Sequence, residues 1–171
     1  MLRAVPVLLV ALILAACGGA ASSPSSAPES ADASAHPSGH AAATVSVTGV
    51  DYAFEDVPAT VEAGSELTFH NGGTEPHEMV VIRINDGVTK TIDDLLELPE
   101  DEALQFATVI GAAMALPGED AEDTVTVSEP GNYAMVCFIP VGSSAADLES
   151  SEPPAGPPHF TEGMVTSFTV E

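Results

Sequence analysis

The sequence predicts an all-β protein, a two-sheet antiparallel β-sandwich with a short helical insertion, and three observations support this prediction. After residue 44, apolar and β-branched residues either alternate with period two or form short runs. Gly- and Pro-containing turns separate these runs. Over residues 91–116 the apolar spacing changes to three and four residues, which is typical of amphipathic helices.

The residues that precede this domain predict export and membrane attachment. Residues 1–16 contain an apolar run that is too short to span a bilayer and is typical of a signal peptide. The sequence Leu14-Ala15-Ala16-Cys17 resembles the lipobox of bacterial lipoproteins, in which the Cys carries lipid; ordinary secretory cleavage is the alternative. Residues 17–43, rich in Ala, Ser and Pro, predict a disordered tether. We therefore expect a domain over residues 44–171, attached only by lipid to the extracytoplasmic face of the cell membrane.

Six segments of this domain predict strands. They are Thr44–Thr48, Glu66–Phe69, His77–Ile84, Thr124–Val127, Tyr133–Phe138 and Met164–Val170. The first two alternate with period two, and the third and fourth are rich in β-branched residues. The turn sequence Glu129-Pro130-Gly131-Asn132 leads into the fifth. Short strands joined by Gly and Pro turns favour a sandwich.

Two stretches interrupt the strand pattern. Within the insertion, Leu95 to Leu98 and then Phe106 to Met114 show helical spacing. Pro99 separates the two segments, and the acidic residues 100–102 open the second. We expect two short helices that pack one apolar face on the sandwich. Residues 139–158 are rich in Pro, Ser and Gly and predict a long surface loop.

The charge of the chain limits its partners. Asp and Glu number 26 against 3 Lys and Arg, for a formal net charge of −23. Nucleic acid and anionic membrane surfaces are therefore excluded as partners, because binding them requires basic residues. Two acidic clusters, Asp93–Glu102 and Glu119–Asp123, either keep the protein soluble or dock a basic redox protein.

No catalytic motif emerges from the sequence. A phosphate-binding glycine motif and a G-x-S-x-G elbow are both absent from it. Carboxylates in dense runs usually form a solvated face. We therefore expect a protein that is not an enzyme.

One thiol, two imidazoles and one thioether form the most informative set in the sequence. If Cys17 carries lipid, Cys137 is the remaining thiol, and it is either an inert buried residue or a metal ligand. His77 follows a Gly-rich turn at the start of a strand, and Cys137 ends another strand. His159 and Met164 lie just before the last strand. Soft sulfur with imidazole selects copper over magnesium, calcium or manganese, with zinc as the competitor.

Three motifs make the domain similar to the cupredoxins, the blue-copper electron-transfer proteins of the plastocyanin and azurin type. They are Phe69-x-Asn71-x4-Pro76-His77, Gly131-x-Tyr133-x-Met135-x-Cys137 and His159-x4-Met164. The resemblance implies a cupredoxin-like Greek-key sandwich with one copper ion, Cu(I) or Cu(II). It also implies ligation by Cys137, His77 and His159, with Met164 as the axial ligand.

Two features depart from the family pattern. The segment between Cys137 and His159 is longer than usual, and Glu78 stands where plastocyanin-like proteins often have Asn. The resemblance implies an anchored carrier of single electrons that exchanges them with a redox protein. The alternatives are a copper-binding or copper-delivery lipoprotein without redox turnover and a metal-free interaction domain. A rigid loop before His159 would favour electron transfer, and a mobile one would favour delivery.

Overall fold

The computed structural model describes residues 42–148, 150, 154 and 156–171. The predicted signal peptide, the lipidation site Cys17 and the tether up to residue 41 lie outside the described residues. Within the part of the chain that is described, no helix has the length and apolar character that a membrane span requires.

Nine strands within these described ranges form two sheets. The four-stranded sheet has the order β2–β1–β4–β7, with bounds Ala53–Glu55, Thr44–Val50, Ser65–Asn71 and Val125–Val127. The five-stranded sheet has the order β3–β9–β8–β5–β6, with bounds Thr60–Val61, Val165–Val170, Gly131–Val136, His77–Ile84 and Ala107–Ala115. The predicted all-β sandwich and all six predicted strands are confirmed. Five strand pairings are antiparallel, whereas β1–β4 and β3–β9 are parallel.

The core lies between the inward faces of the two sheets. The four-stranded sheet contributes the buried side chains of Leu67 and Phe69 in β4 to this core. The five-stranded sheet contributes those of Val81 in β5 and Met135 in β8. The period-two alternation places these side chains on one face of each strand. Burial of this apolar face fixes the register of the sheets, because a shift by one residue would expose it.

The pairing of three neighbouring strands defines one edge of the sandwich. Strand β8 pairs antiparallel with β5 on one side and with β9 on the other. The start of β5, the end of β8 and the start of β9 therefore meet at the same edge. His77 begins β5, Cys137 directly follows β8, and Met164 directly precedes β9.

The predicted helical insertion is correct in its first half. Helix α1 (Ile92–Leu96) begins with a capping box in which Thr91 and Asp94 bond each other's backbone amides. Helix α2 (Glu100–Ala103) follows directly. Ile92 and Leu95 pack against Ile82 on the outer face of the five-stranded sheet, as the apolar spacing predicts.

The second predicted helix begins at Glu100 as expected but ends at Ala103. Its predicted continuation to Met114 is wrong, because residues 107–114 belong to the nine-residue strand β6. A register shift occurs where Val81 pairs with Gly111 and Ile82 pairs with Val109, so Ile110 is left as a bulge. The extra residue breaks the two-residue alternation and produces the spacing of three and four that resembles a helix.

The predicted long loop follows β8. It contains helix α3 (Ala145–Leu148) and leads to a 3-10 turn, His159–Glu162. The two ends of the loop are joined by backbone bonds: the amide of Val141 donates to Pro157 at 2.9 Å, and the amide of His159 donates to Ile139 at 2.9 Å. The long connection is therefore closed at its base.

Candidate metal centre

The structure brings His77, Cys137 and His159 together at the edge defined above. All three side chains have 0% exposure, and their ligand atoms lie within 4.8 Å of one another. The two His Nδ1 atoms are 3.1 Å apart, and Sγ of Cys137 is 3.4 Å from Nδ1 of His159. Ligand atoms that share one metal at about 2.0–2.3 Å are expected to lie roughly 3–4 Å apart. These separations therefore fit a common metal ion.

The hydrogen bonds of the two imidazoles determine which nitrogens are free to ligate. Nε2 of His77 is 2.9 Å from Oδ1 of Asp51, and Nε2 of His159 is 3.1 Å from Oε2 of Glu75. An ionised carboxylate only accepts hydrogen bonds, so each Nε2 is the protonated nitrogen and donates. Each Nδ1 then carries a lone pair, and both lone pairs face the same small space. Two acceptors cannot bond each other, so this arrangement suits a cation.

Met164 completes the predicted set at the same edge. Its side chain is fully buried and packs in one cluster with Cys137 and Ile139. Its carbonyl accepts the amide of Cys137 at 3.2 Å, and its own amide donates to the carbonyl of His159 at 3.1 Å. The backbone thus ties the thioether residue to two of the other predicted ligands.

Burial favours the uncharged forms of Cys137 and His77, two of the predicted ligands. Burial raises the pKa of Cys137 to about 11, although the backbone amide of Glu78 partly offsets this. Burial also lowers the pKa of His77, despite the neighbouring Asp51. The His77 imidazole is therefore neutral at neutral pH. A metal that binds the thiolate must displace the thiol proton.

The two carboxylates on the imidazoles are ionised. Burial of Asp51 opposes ionisation, but bonds from the hydroxyl and amide of Thr74 and from His77 outweigh it, and the pKa of Asp51 is lowered to about 2. Burial of Glu75 also opposes ionisation. Bonds from the Gly142 amide and from His159 outweigh this effect, so the pKa of Glu75 is lowered as well. Two negative charges therefore lie on the outer side of the imidazoles.

Glu78 connects two of the segments that supply ligands. Its carboxylate accepts the amide of Phe138 at 3.0 Å, and its own amide points at Sγ of Cys137 at 3.5 Å. Burial raises the pKa of this carboxyl group. Glu78 therefore bonds the segment that follows Cys137.

A buried amide shapes the turn that leads to His77. The side-chain nitrogen of Asn71 donates to the carbonyls of Glu75 and Ala115, both at 2.9 Å, and its oxygen accepts the amide of Gly73 at 2.9 Å. A Cβ on Gly73 would collide with Oδ1 of Asp51 and would lie 2.5 Å from Nε2 of His77. Only glycine therefore lets the turn pass this close to the Asp51–His77 pair.

The structure brings the predicted ligand residues together, but the sequence analysis missed the carboxylates that bond their imidazoles. Asp51 lies far from His77 in the sequence, in the turn after β1, and no local pattern marks it. Glu75 lies two residues before His77, and this proximity was the one available signal. His70 follows the buried Phe69 in β4, so it points outward and lies outside the site, where it pairs with Asp120 at 2.8 Å.

Three solved structures are similar to this chain. No protein-family model matches the sequence, and no curated protein matches it significantly. A dithionite-reduced auracyanin from Roseiflexus castenholzii is 23% identical with a TM-score of 0.46, covering 75% of this chain and 96% of that one. Auracyanin A, described as a blue copper protein from Chloroflexus aurantiacus, is 17% identical with a TM-score of 0.42, covering 75% and 98%. A purple cupredoxin from Nitrosopumilus maritimus is 16% identical with a TM-score of 0.37, covering 74% and 99%.

The role of Asn71 can be tested by stability. Asn71→Ala removes three hydrogen bonds and leaves the buried carbonyl of Ala115 without this donor, so we expect the free energy of unfolding to fall by about 1–3 kcal/mol or more. Chemical denaturation measures the change. The neighbouring His70→Ala, whose bond is exposed, should change it by less than about 0.5 kcal/mol. Equal effects of the two variants would contradict the role given to Asn71.

Proposed function

We propose that this protein is a mononuclear copper protein of the cupredoxin type that carries single electrons. The observation behind the proposal is the sealed donor set, in which two imidazole lone pairs and one thiol sulfur face the same point. Cys137, His77 and His159 would hold the ion, with Met164 as the weak axial ligand. A bound copper supplies a one-electron couple between Cu(I) and Cu(II).

The choice of copper follows from the donor chemistry. A thiolate with two imidazoles and a thioether is the set typical of blue-copper electron-transfer sites, whereas magnesium and calcium prefer oxygen ligands. Zinc is the competitor, because it also accepts sulfur and imidazole. The carboxylates that contact the imidazoles, Asp51 and Glu75, bond the outer imidazole nitrogens and so are not arranged as ligands.

The rigidity of the site favours electron transfer over copper delivery. Both imidazoles and the thiol are fully buried, and each imidazole is fixed by a carboxylate. A ligand set that is held in place without metal needs little rearrangement when the charge of the ion changes. Delivery would require these buried ligands to become accessible to a receiving protein.

The same burial bears on whether the protein is an enzyme. Because neither imidazole of the site is exposed, the site offers no open position to a substrate, and we propose a carrier rather than an enzyme.

An apolar groove beside the site suggests where a redox partner docks. The groove has a volume of about 470 Å³, and its lining includes Leu104, Val109, Phe138 and Phe160. Phe138 directly follows Cys137, and the Phe138 and Phe160 rings are in edge contact with centroids 5.5 Å apart. A partner seated in this groove would contact residues adjacent in sequence to two of the proposed ligands.

The charge around this groove selects the kind of partner. Glu100 lines it, and Asp101 and Glu102 lie on the same short helix, which carries no basic residue in its last turn. An apolar surface with an acidic rim complements a redox protein that presents apolar side chains surrounded by Lys and Arg. A second copy of this chain, with its net charge of −23, would be repelled.

The proposed location follows from the leader sequence alone. If Cys17 is lipidated, as the lipobox-like sequence before it suggests, the anchor would keep the copper domain at the extracytoplasmic face of the membrane. Electron exchange would then take place with proteins of that compartment.

The copper site is tested by its visible spectrum. We expect Cu(II) added to the full chain to give an intense blue or green band, because the Cys137 thiolate transfers charge to the ion. Cys137→Ser should abolish the band, and His70→Ala, which changes an imidazole outside the site, should leave it unchanged. A stoichiometric Cu(II) complex without such a band would contradict the electron-transfer proposal and favour the delivery alternative.

The docking surface is tested by the salt dependence of electron transfer to a cationic redox protein. We expect a triple substitution of Glu97, Glu100 and Glu102 to Gln to slow transfer at low salt by roughly 10-fold or more and to flatten its salt dependence. Asp94 is left intact because it caps α1.

A matched variant removes the same charge elsewhere. Neutralising Glu119, Glu122 and Asp123, which lie outside the helices α1 and α2 that border the groove, should change the rate much less. Equal effects of the two triple variants would indicate a general charge effect and would contradict docking at the groove.

A further inference from the structure

Glu75 makes three hydrogen bonds that meet at the candidate metal centre. One carboxylate oxygen, Oε1, accepts the hydroxyl of Tyr52 at 3.1 Å. The other, Oε2, accepts the amide of Gly142 at 2.7 Å and lies 3.1 Å from Nε2 of His159. A single side chain therefore contacts a ligand, an aromatic neighbour of that ligand and the loop that precedes it.

These contacts join the two ends of the long connection between the Cys and His ligands. Gly142 lies near the start of this connection, and His159 stands at its end. Loop closure costs entropy, and the cost grows with the length of the loop. The backbone bonds at the base of the loop fix the position of residue 159, but they do not orient its ring. The bond from Nε2 to Glu75 does orient it.

The aromatic ring of Tyr52 supports the same orientation. It lies edge-on to His159 with centroids 4.9 Å apart, while its hydroxyl is held by Glu75. The imidazole is thus confined on one side by Tyr52 and at its outer nitrogen by the carboxylate. Its remaining nitrogen, Nδ1, faces Cys137 and His77.

We propose that Glu75 is the positioning residue of the metal centre: it bonds the ends of the long loop together, fixes the ligand nitrogen of His159 and favours Cu(II) over Cu(I). The copper part of this inference rests on the proposed function. A carboxylate that accepts a hydrogen bond from the outer nitrogen makes the imidazole a stronger electron donor to the metal. Such hydrogen-bond partners of metal ligands change metal affinity by about 10–100-fold. The stronger donor stabilises the more highly charged ion.

Asp51 contacts His77 in a similar way but is less suitable for a test. Its carboxylate also accepts the amide and the hydroxyl of Thr74 and thereby shapes the turn before the ligand. A change at Asp51 would therefore disturb both the turn and the imidazole. The carboxylate of Glu75 instead bonds Tyr52, Gly142 and His159, so a change at Glu75 tests the His159 imidazole without removing the bonds that Asp51 makes to the turn.

Two variants of the full chain test the proposal. Glu75→Gln keeps the shape and one accepting oxygen but removes the charge. We expect it to retain copper and to raise the reduction potential by about 59 mV, which corresponds to a 10-fold change in the ratio of Cu(II) to Cu(I) affinity. Glu75→Ala removes the bonds as well, and we expect copper affinity to fall by about 10–100-fold. Glu162→Gln is the charge-matched control, because Glu162 is exposed on the same turn as His159.

A measurement without metal keeps the two proposals distinguishable. In the apo-protein, hydrogen exchange of the Gly142 amide should become faster by at least 10-fold in Glu75→Ala and should be unchanged in Glu162→Gln. Unchanged exchange at Gly142 would overturn the proposed link between the loop ends. A Glu162→Gln shift in potential equal to that of Glu75→Gln would overturn the specific effect on His159. A wild-type protein that binds no copper would overturn the proposed function, while the exchange result would still decide whether Glu75 holds the loop.

Discussion

The antiparallel pairing of β5, β8 and β9 is the constraint on which the site depends. This pairing brings the start of one strand, the end of the next and the start of the third to a single edge. His77, Cys137 and Met164 take their positions from that edge, and the sandwich core fixes the register behind them. A slip by one residue would both expose the core and separate the ligands. The stability of the sheet and the geometry of the site are therefore set by the same register.

A second layer of contacts turns this edge into a defined pocket. Asp51 and Glu75 hold the outer nitrogens of the two imidazoles, and Glu78 bonds the segment after the Cys. The acidic residues of this protein thus have two separate physical roles. Most of those that the structure describes are exposed and contribute to the negative surface charge, whereas these three also accept hydrogen bonds from donors at the site. Removing one of the three would leave donors without partners in a partly buried place, which costs more than losing a surface charge.

Sequence reasoning predicted the sandwich and the ligand set because both have local signatures. Alternation marks strands such as β1 and β4, and a His, a Cys and a His–Met pair at strand ends mark the ligands. It missed β2 and β3, which contain three and two residues and are too short to show a pattern. It assigned β6 to a helix because the bulge at Ile110 disturbs the alternation. It could not identify Asp51, because the proximity to His77 exists only once distant segments are folded together.

We propose that one copper ion binds to the thiolate of Cys137 and to the two imidazoles that face it. X-ray absorption at the copper edge of the loaded full chain reports the elements bound to the ion and therefore decides whether these residues are its ligands. We expect one short copper–sulfur bond and two copper–nitrogen bonds in the unsubstituted protein, and no short copper–sulfur bond in Cys137→Ser. A copper environment of only nitrogen and oxygen in the unsubstituted protein would contradict it.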